Sequence, residues 1–188
     1  MTRCKWCNLN NPIYIKYHDE EWGKEQYDDD YLFEMLILES FQAGLSWECV
    51  LNKREAFRKA YENFDLDKVC AFDDINEDKL VSVTINNKDI IRNRLKIIAS
   101  INNAKIFKQI KNEYGSFYNY LKQFTNGNRY IEVDQVSSEL SDKISEDLVK
   151  RKMKFVGTKI IYSFLQAIGI IYSHDKECYL YKESITNE

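Results

Sequence analysis

The sequence predicts an all-α chain forming a single compact helical domain, on three observations. Its 188 residues include six glycines and one proline, Pro12, too little punctuation for a many-stranded sheet. Apolar residues recur at helical spacing over most of the length. The length suits one well-buried core and is short for two ordinary domains, so residues 1–188 are expected to form one unit.

The elements follow in order. Asp28, Asp29 and Asp30 place acids at the start of a helix over residues 31–43, where they face the positive end of its dipole. Shorter helices are expected over 53–63, 66–72 and 77–83, the last capped by Asn76. A long helix over 90–114 stops at Gly115, and Ser116 caps another that runs through Phe124. Residues 125–136 read as a loop, and helices over 138–151 and 156–171 complete the chain. No internal repeat, low-complexity segment or linker interrupts it.

The longest apolar-rich stretch, residues 160–172, is broken by Ser163 and Gln166 and falls short of a membrane span. No secretory pattern opens the sequence, so a cytoplasmic location and no membrane partner are expected. Five cysteines, an odd number without a repeating framework, argue against a disulfide scaffold and suit core residues or metal ligands.

The most informative stretch is residues 38–47, Leu-Glu-Ser-Phe-Gln-Ala-Gly-Leu-Ser-Trp. At helical spacing Glu39 shares a stripe with Leu32, Met35 and Leu36 behind it and Gln42 and Ala43 ahead, so it faces inward. A buried carboxylate is costly unless it is neutralised or partnered. Its partner is either an internal arginine or helix cap, or a ligand.

Net charge is −3, which gives no global attraction to a polyanion. The distribution is uneven. Residues 88–111 carry seven bases and one acid, and residues 150–159 carry five bases and no acid. Each could be a solvated face, and together they could form a phosphate track.

Residues 38–47 resemble the signature of the 3-methyladenine DNA glycosylase I family of the helix-hairpin-helix glycosylase superfamily. Further blocks agree in order: Arg3-Cys4-x-Trp6, Pro12-Ile13-Tyr14, Tyr17-His18-Asp19, Glu21-Trp22-Gly23, the run Ile90-Ile91-Arg92-Asn93-Arg94-Leu95-Lys96-Ile97, Lys154-Phe155-Val156-Gly157-Thr158, Tyr162-Ser163-Phe164-Leu165-Gln166-Ala167, and His174 with Cys178. The resemblance covers residues 3–178 and leaves 179–188 as a short tail.

The resemblance implies a monofunctional repair enzyme that flips 3-methyladenine out of alkylated double-stranded DNA and hydrolyses its glycosidic bond, leaving an abasic site. Glu39 would be catalytic. Tyr17 and Trp47 would stack on the base, with Trp6, Tyr14 and Trp22 lining the same pocket or serving as ordinary core aromatics. No amine nucleophile is implied. Around a turn at residues 86–89, backbone amides together with Lys88, Arg92, Arg94 and Lys96 would contact DNA phosphate. Cys4, His18, His174 and Cys178 would hold one structural Zn2+, clipping residues near position 4 to those near 178. Cys7 completes a Cys-x-x-Cys pair and offers a fifth possible ligand. A monomer without a nucleotide cofactor is expected.

Three departures from the family pattern occur. Asp89 stands where glycine is usual, Lys152-Met153 where Gly-Phe is favoured, and Lys122 where an aromatic is common. Two other classes compete with this one. A zinc-dependent base deaminase needs a His-x-Glu and a Pro-Cys-x-x-Cys element, which this sequence lacks. A non-catalytic module that binds alkylated bases or DNA and carries a structural zinc remains the alternative to the enzyme.

Overall fold

The computed structural model describes residues 1–72 and 86–184. Among these, α1 spans Pro12–Glu20, α2 Asp29–Gln42, α3 Trp47–Leu51, α4 Arg54–Ala60 and α5 Leu66–Cys70. They are followed by α6, Arg94–Tyr114, α7, Phe117–Thr125, α8, Glu139–Lys150, and α9, Thr158–Ala167. The helix expected over 77–83, its Asn76 cap and the first half of the expected hairpin lie outside the described residues.

Helix α2 is the axis of the molecule. Every residue from Leu32 to Phe41 is buried, and α3, α6, α7 and α9 all pack on it. The apolar stripe expected from its sequence is therefore a helix enclosed almost all round. Aromatic contacts bind it to its neighbours: Phe33 lies 5.3 Å from Phe107, Phe41 lies 4.7 Å from Phe57, and Phe107 stacks on Phe117 at 4.1 Å. The Asp28 side chain caps α2 by accepting from the amides of Asp30 and Tyr31. Asp29 serves a second helix, accepting from Phe117 N at 2.9 Å at the start of α7.

The first and third helices have local causes that hydrophobic spacing does not show. Asn11 accepts from the amides of Ile13 and Tyr14, with Pro12 at the first helical position, the combination that starts a helix. Ser46 accepts from Cys49 N at 3.2 Å and starts α3 at Trp47.

Several expected boundaries shift. Helix α6 begins at Arg94 rather than near residue 90, because the Asn93 side chain accepts from Lys96 N at 3.1 Å and caps it. The expected helix over 53–63 ends at Ala60 and continues as a 3-10 turn, Glu62–Phe64. The last helix stops at Ala167, and Gly169 follows at φ +78°. A Cβ there would lie 2.4 Å from the carbonyl carbon of Lys24, so only glycine lets these segments cross. The chain then pairs Ile171–Tyr172 in parallel with Tyr130–Ile131. Among the described residues this two-residue ladder departs from the all-helical expectation, and it ties the 125–136 loop to the core.

Candidate active site and metal centre

The turn after α2 places the site. Gln42 is the last helical residue, Gly44 adopts φ +78° with open space around its α-carbon, and Ser46 caps α3. The reversal brings Trp47 back over the C-terminal end of α2. Lys96 fixes this corner: its Nζ donates to Phe41 O at 2.8 Å and also to Ala43 O. A cation is favourable at the negative end of a helix. Lys96 is buried, so it does not stand at a surface where it could meet DNA phosphate, and that expectation is corrected.

Between this corner and the second half of α9 lies a cavity of about 310 Å³ lined by Trp6, Tyr14, Trp22, Glu39, Gln42 and Trp47. Asp134, Gln135, Ser163, Gln166, Ser173 and Asp175 line it as well. Four of the five expected pocket aromatics thus meet around Glu39. Tyr17 is not in the wall; it is buried behind Trp47, with ring centroids 5.4 Å apart. Trp6 lies 5.2 Å from Tyr14 and 4.8 Å from Trp22.

Two glutamates of α2 show what is special about this cavity. Glu34, also buried, is enclosed by Arg54 and Arg58 at 2.8 and 2.7 Å. Desolvation raises its pKa, but these guanidinium bonds outweigh it and the net shift is downward. Glu39 has no such partner among the described residues. Its Oε2 is buried without a hydrogen bond, and burial pushes its carboxyl well above the ordinary glutamate range. The Oε1 of Gln42 and the Nε1 of Trp47 are likewise buried and unpartnered. Buried polar atoms are almost always satisfied, so three orphans around one cavity mark a place built for a polar, planar ligand.

The polar wall was not legible in the sequence. It is assembled by the Tyr130–Ile131 ladder and by Ser173 Oγ, which donates to Glu132 O. Gln42 did carry a signal, since it falls three residues after Glu39 on the same helical face.

A second cluster adjoins the cavity. The ligand-capable atoms of Cys4, His18, His174 and Cys178 all lie within 4.8 Å of one another, and all four residues are buried. Cys4 Sγ lies 3.3 Å from His174 Nδ1, and Cys178 Sγ lies 3.4 Å from His18 Nε2 and 3.6 Å from His174 Nδ1. His18 Nδ1 is 2.7 Å from Asp19 Oδ1, and Arg3 binds the same carboxylate through Nε and a terminal nitrogen. Burial, then the neighbouring His18 ring, lower the His174 imidazole to about 4, leaving it neutral with a free lone pair at pH 7. Cys7 is not in the cluster; its thiol donates to Tyr14 O at 3.9 Å. The cluster supports the pocket wall, for Trp22 lies 4.7 Å from His174 and Trp6 lies 5.3 Å from His18.

Of the expected phosphate contacts, Lys88, Arg92 and Arg94 are exposed. Asp89 lies five residues before α6. Its amide donates to Asn87 Oδ1 and its carbonyl accepts from Lys53 Nζ, so the carboxylate does not sit in the first turn of that helix.

The family model described as methyladenine glycosylase matches residues 6–181. DNA-3-methyladenine glycosylase 1 of Escherichia coli K12 is 41% identical over 187 residues, covering 96% of this chain and 97% of that protein. The DNA-3-methyladenine glycosylase of Haemophilus influenzae is 36% identical, covering 94% and 96%. A crystal structure of 3-methyladenine DNA glycosylase I superposes with TM-score 0.89 at 37% identity, covering 96% of this chain and all of that one. A variant of such an enzyme in complex with 3-methyladenine gives 0.87 at 31% identity, covering 95% and 97%. The chain belongs to the methyladenine glycosylase family.

Proposed function

We propose that the protein is a DNA-3-methyladenine glycosylase that hydrolyses the N-glycosidic bond of 3-methyladenine in alkylated duplex DNA and leaves an abasic site. The observation that carries this is the orphaned, buried Glu39 in a cavity walled by Trp6, Tyr14, Trp22 and Trp47. A methyl on N3 makes the adenine of a nucleotide cationic. An electron-poor base is held over aromatic faces by about 0.5–2 kcal/mol per contact more than a neutral one. Glu39 supplies the opposite charge. Burial holds its carboxyl toward the neutral form in the free pocket, and a cation arriving beside it favours the carboxylate.

The flipped lesion is a good leaving group, so the site needs recognition more than a strong acid. Glu39 accepts from the base edge and stabilises positive charge as the bond to the sugar breaks. Trp47 stacks on the base, held in place by Tyr17. Water completes the hydrolysis. On the DNA side, Lys88, Arg92 and Arg94 neutralise backbone phosphate, with the exposed Lys152, Lys154 and Lys159 extending the track. Asn103 Nδ2 donates to Lys154 O at 2.8 Å and anchors the 152–154 segment on α6. The turn near residues 86–89 acts as the second half of a helix-hairpin-helix grip.

The Cys4, His18, His174 and Cys178 cluster fits one structural zinc. Zn–S and Zn–N bonds of about 2.3 and 2.0–2.1 Å at tetrahedral angles place sulfur and nitrogen about 3.5 Å apart, against 3.3, 3.4 and 3.6 Å here. Two thiolates and two imidazoles fill the shell, so the ion supplies folding energy and no chemistry. The 1–188 chain acts as one domain and as a monomer. Release of free 3-methyladenine from methylated duplex DNA tests the proposal; tight binding without release would point instead to the non-catalytic lesion-binding module.

A further inference from the structure

Two lysines join the corner that carries Glu39 and Trp47 to the segment leading into α6. Lys96, in the first turn of α6, reaches the carbonyls of Phe41 and Ala43 at the end of α2. Lys53 runs the other way. Its amide donates to Val50 O at 3.0 Å, against the last turn of α3. Its Nζ donates to Asp89 O at 2.9 Å in the 86–89 turn, and among the described residues no carboxylate competes for that ammonium. Within the turn the Asp89 amide donates to Asn87 Oδ1, and the next residue, Ile90, is buried in the core. The Asp89 carbonyl is therefore a fixed point, and Lys53 ties α3 to it.

A flipped nucleotide is held at its phosphate and at its base, and its own covalent geometry sets the separation of the two. Hydrolysis needs the reacting atoms in near-attack geometry, and a misplacement of about 1 Å can cost about 100-fold in rate. The turn that meets phosphate must therefore be fixed relative to Trp47, which meets the base. Trp47 opens α3 and Lys53 stands two residues beyond its end, so the Lys53–Asp89 bond closes that link. An ammonium on a carbonyl is a charge-assisted bond, stronger than a neutral one.

We infer that Lys53 is a positioning residue: through the carbonyl of Asp89 it holds the phosphate-gripping turn in register with Trp47, so that a nucleotide held at its phosphate presents its base to the cavity. The inference rests on the glycosylase reading and deepens it. Lys53 touches neither the base nor the reacting atoms, and its ammonium is engaged by the turn rather than by phosphate.

The test uses the full chain with Lys53→Met, which keeps a long apolar side chain and removes the donor, and Lys53→Arg, which keeps a cationic donor. Single-turnover release of 3-methyladenine from methylated duplex DNA should fall about fivefold or more in Lys53→Met, and Lys53→Arg should recover most of that loss. Binding of free 3-methyladenine, followed by tryptophan fluorescence, should stay within about twofold of the parent, because uniform binding in the pocket is untouched. The affinity for undamaged duplex should keep the parent's dependence on salt. Loss of stability alone would not split these readouts. Release at the parent's rate by folded Lys53→Met would overturn the inference. So would a log-log salt slope shallower by about 0.9, the mark of a phosphate contact, or a matching loss of free-base binding, the mark of a prop for the pocket. Absence of 3-methyladenine release by the parent would instead strike the glycosylase reading itself, so the two failures are distinguishable.

Discussion

Lys96 Nζ donates to the carbonyl of Phe41 at 2.8 Å, linking the first turn of α6 to the end of α2 that carries Glu39 and Gln42. Lys96→Met removes a charged donor from buried carbonyls and should destabilise the fold by about 1.5–3 kcal/mol. The salt dependence of DNA binding should not change, because this cation neutralises no phosphate. Thermal melts paired with a salt titration check both parts.

Arg92 and Arg94 should behave in the opposite way. Each arginine replaced by alanine should make the log-log dependence of DNA affinity on salt shallower by roughly 0.9, with little change in melting temperature. A slope equal to that of the parent in both variants would remove them from the DNA interface.

The Cys4, His18, His174 and Cys178 cluster should bind zinc and lose affinity for it when its outer partner is removed. Asp19 orients His18 and is itself held by Arg3, a bond that keeps its carboxyl well below the usual range. Asp19→Ala should weaken zinc binding about 10–100-fold. Since Trp6 and Trp22 abut the cluster's imidazoles, chelation should also change tryptophan emission. Purified protein carrying no zinc would contradict the assignment.

Burial of Glu39 has a cost that depends on pH. Its carboxyl is raised in the folded state, so above the unfolded value of about 4.5 the folded chain holds a proton that the unfolded chain has lost. This contribution to stability is fully present below about pH 4.5 and falls as pH rises toward the folded pKa. Glu39→Gln should therefore gain stability over the parent between about pH 5 and neutrality, and lose that advantage in acid. Denaturant melts across pH test the sign.

Lys152 is the C′ residue of α8, at φ +76°. Its amide donates to Val149 O and the Met153 amide donates to Leu148 O, a Schellman arrangement that favours glycine. Lys152→Gly should raise stability by about 1 kcal/mol, read as a higher melting temperature.

What the sequence revealed follows from how local each cause is. The start of α2 at its aspartates, the stop of α6 at Gly115 and the Ser116 cap of α7 are set within one turn of chain, and all appear in the structure. Glu39, Trp47 and the four cluster residues belong to family blocks, and the structure places the first two at one cavity and the four together. The cavity's second wall was not, because Asp134, Ser173 and Asp175 reach it only through the pairing of segments some forty residues apart. Lys96 differs from its expectation for the same reason: a basic residue in a basic run gives no sign that its ammonium turns inward to another helix's carbonyls. Asp89 lies outside the helix expected to begin beside it because Asn93, four residues later, caps α6.

The central claim is that Glu39 acts on a flipped, cationic base. The most direct measurement is single-turnover release of 3-methyladenine from methylated duplex by the parent and by Glu39→Gln, alongside their affinities for undamaged duplex. The account predicts release by the parent, at least tenfold slower release by the variant despite its greater stability near neutrality, and equal affinity for undamaged DNA. Release at the parent's rate by Glu39→Gln would contradict it.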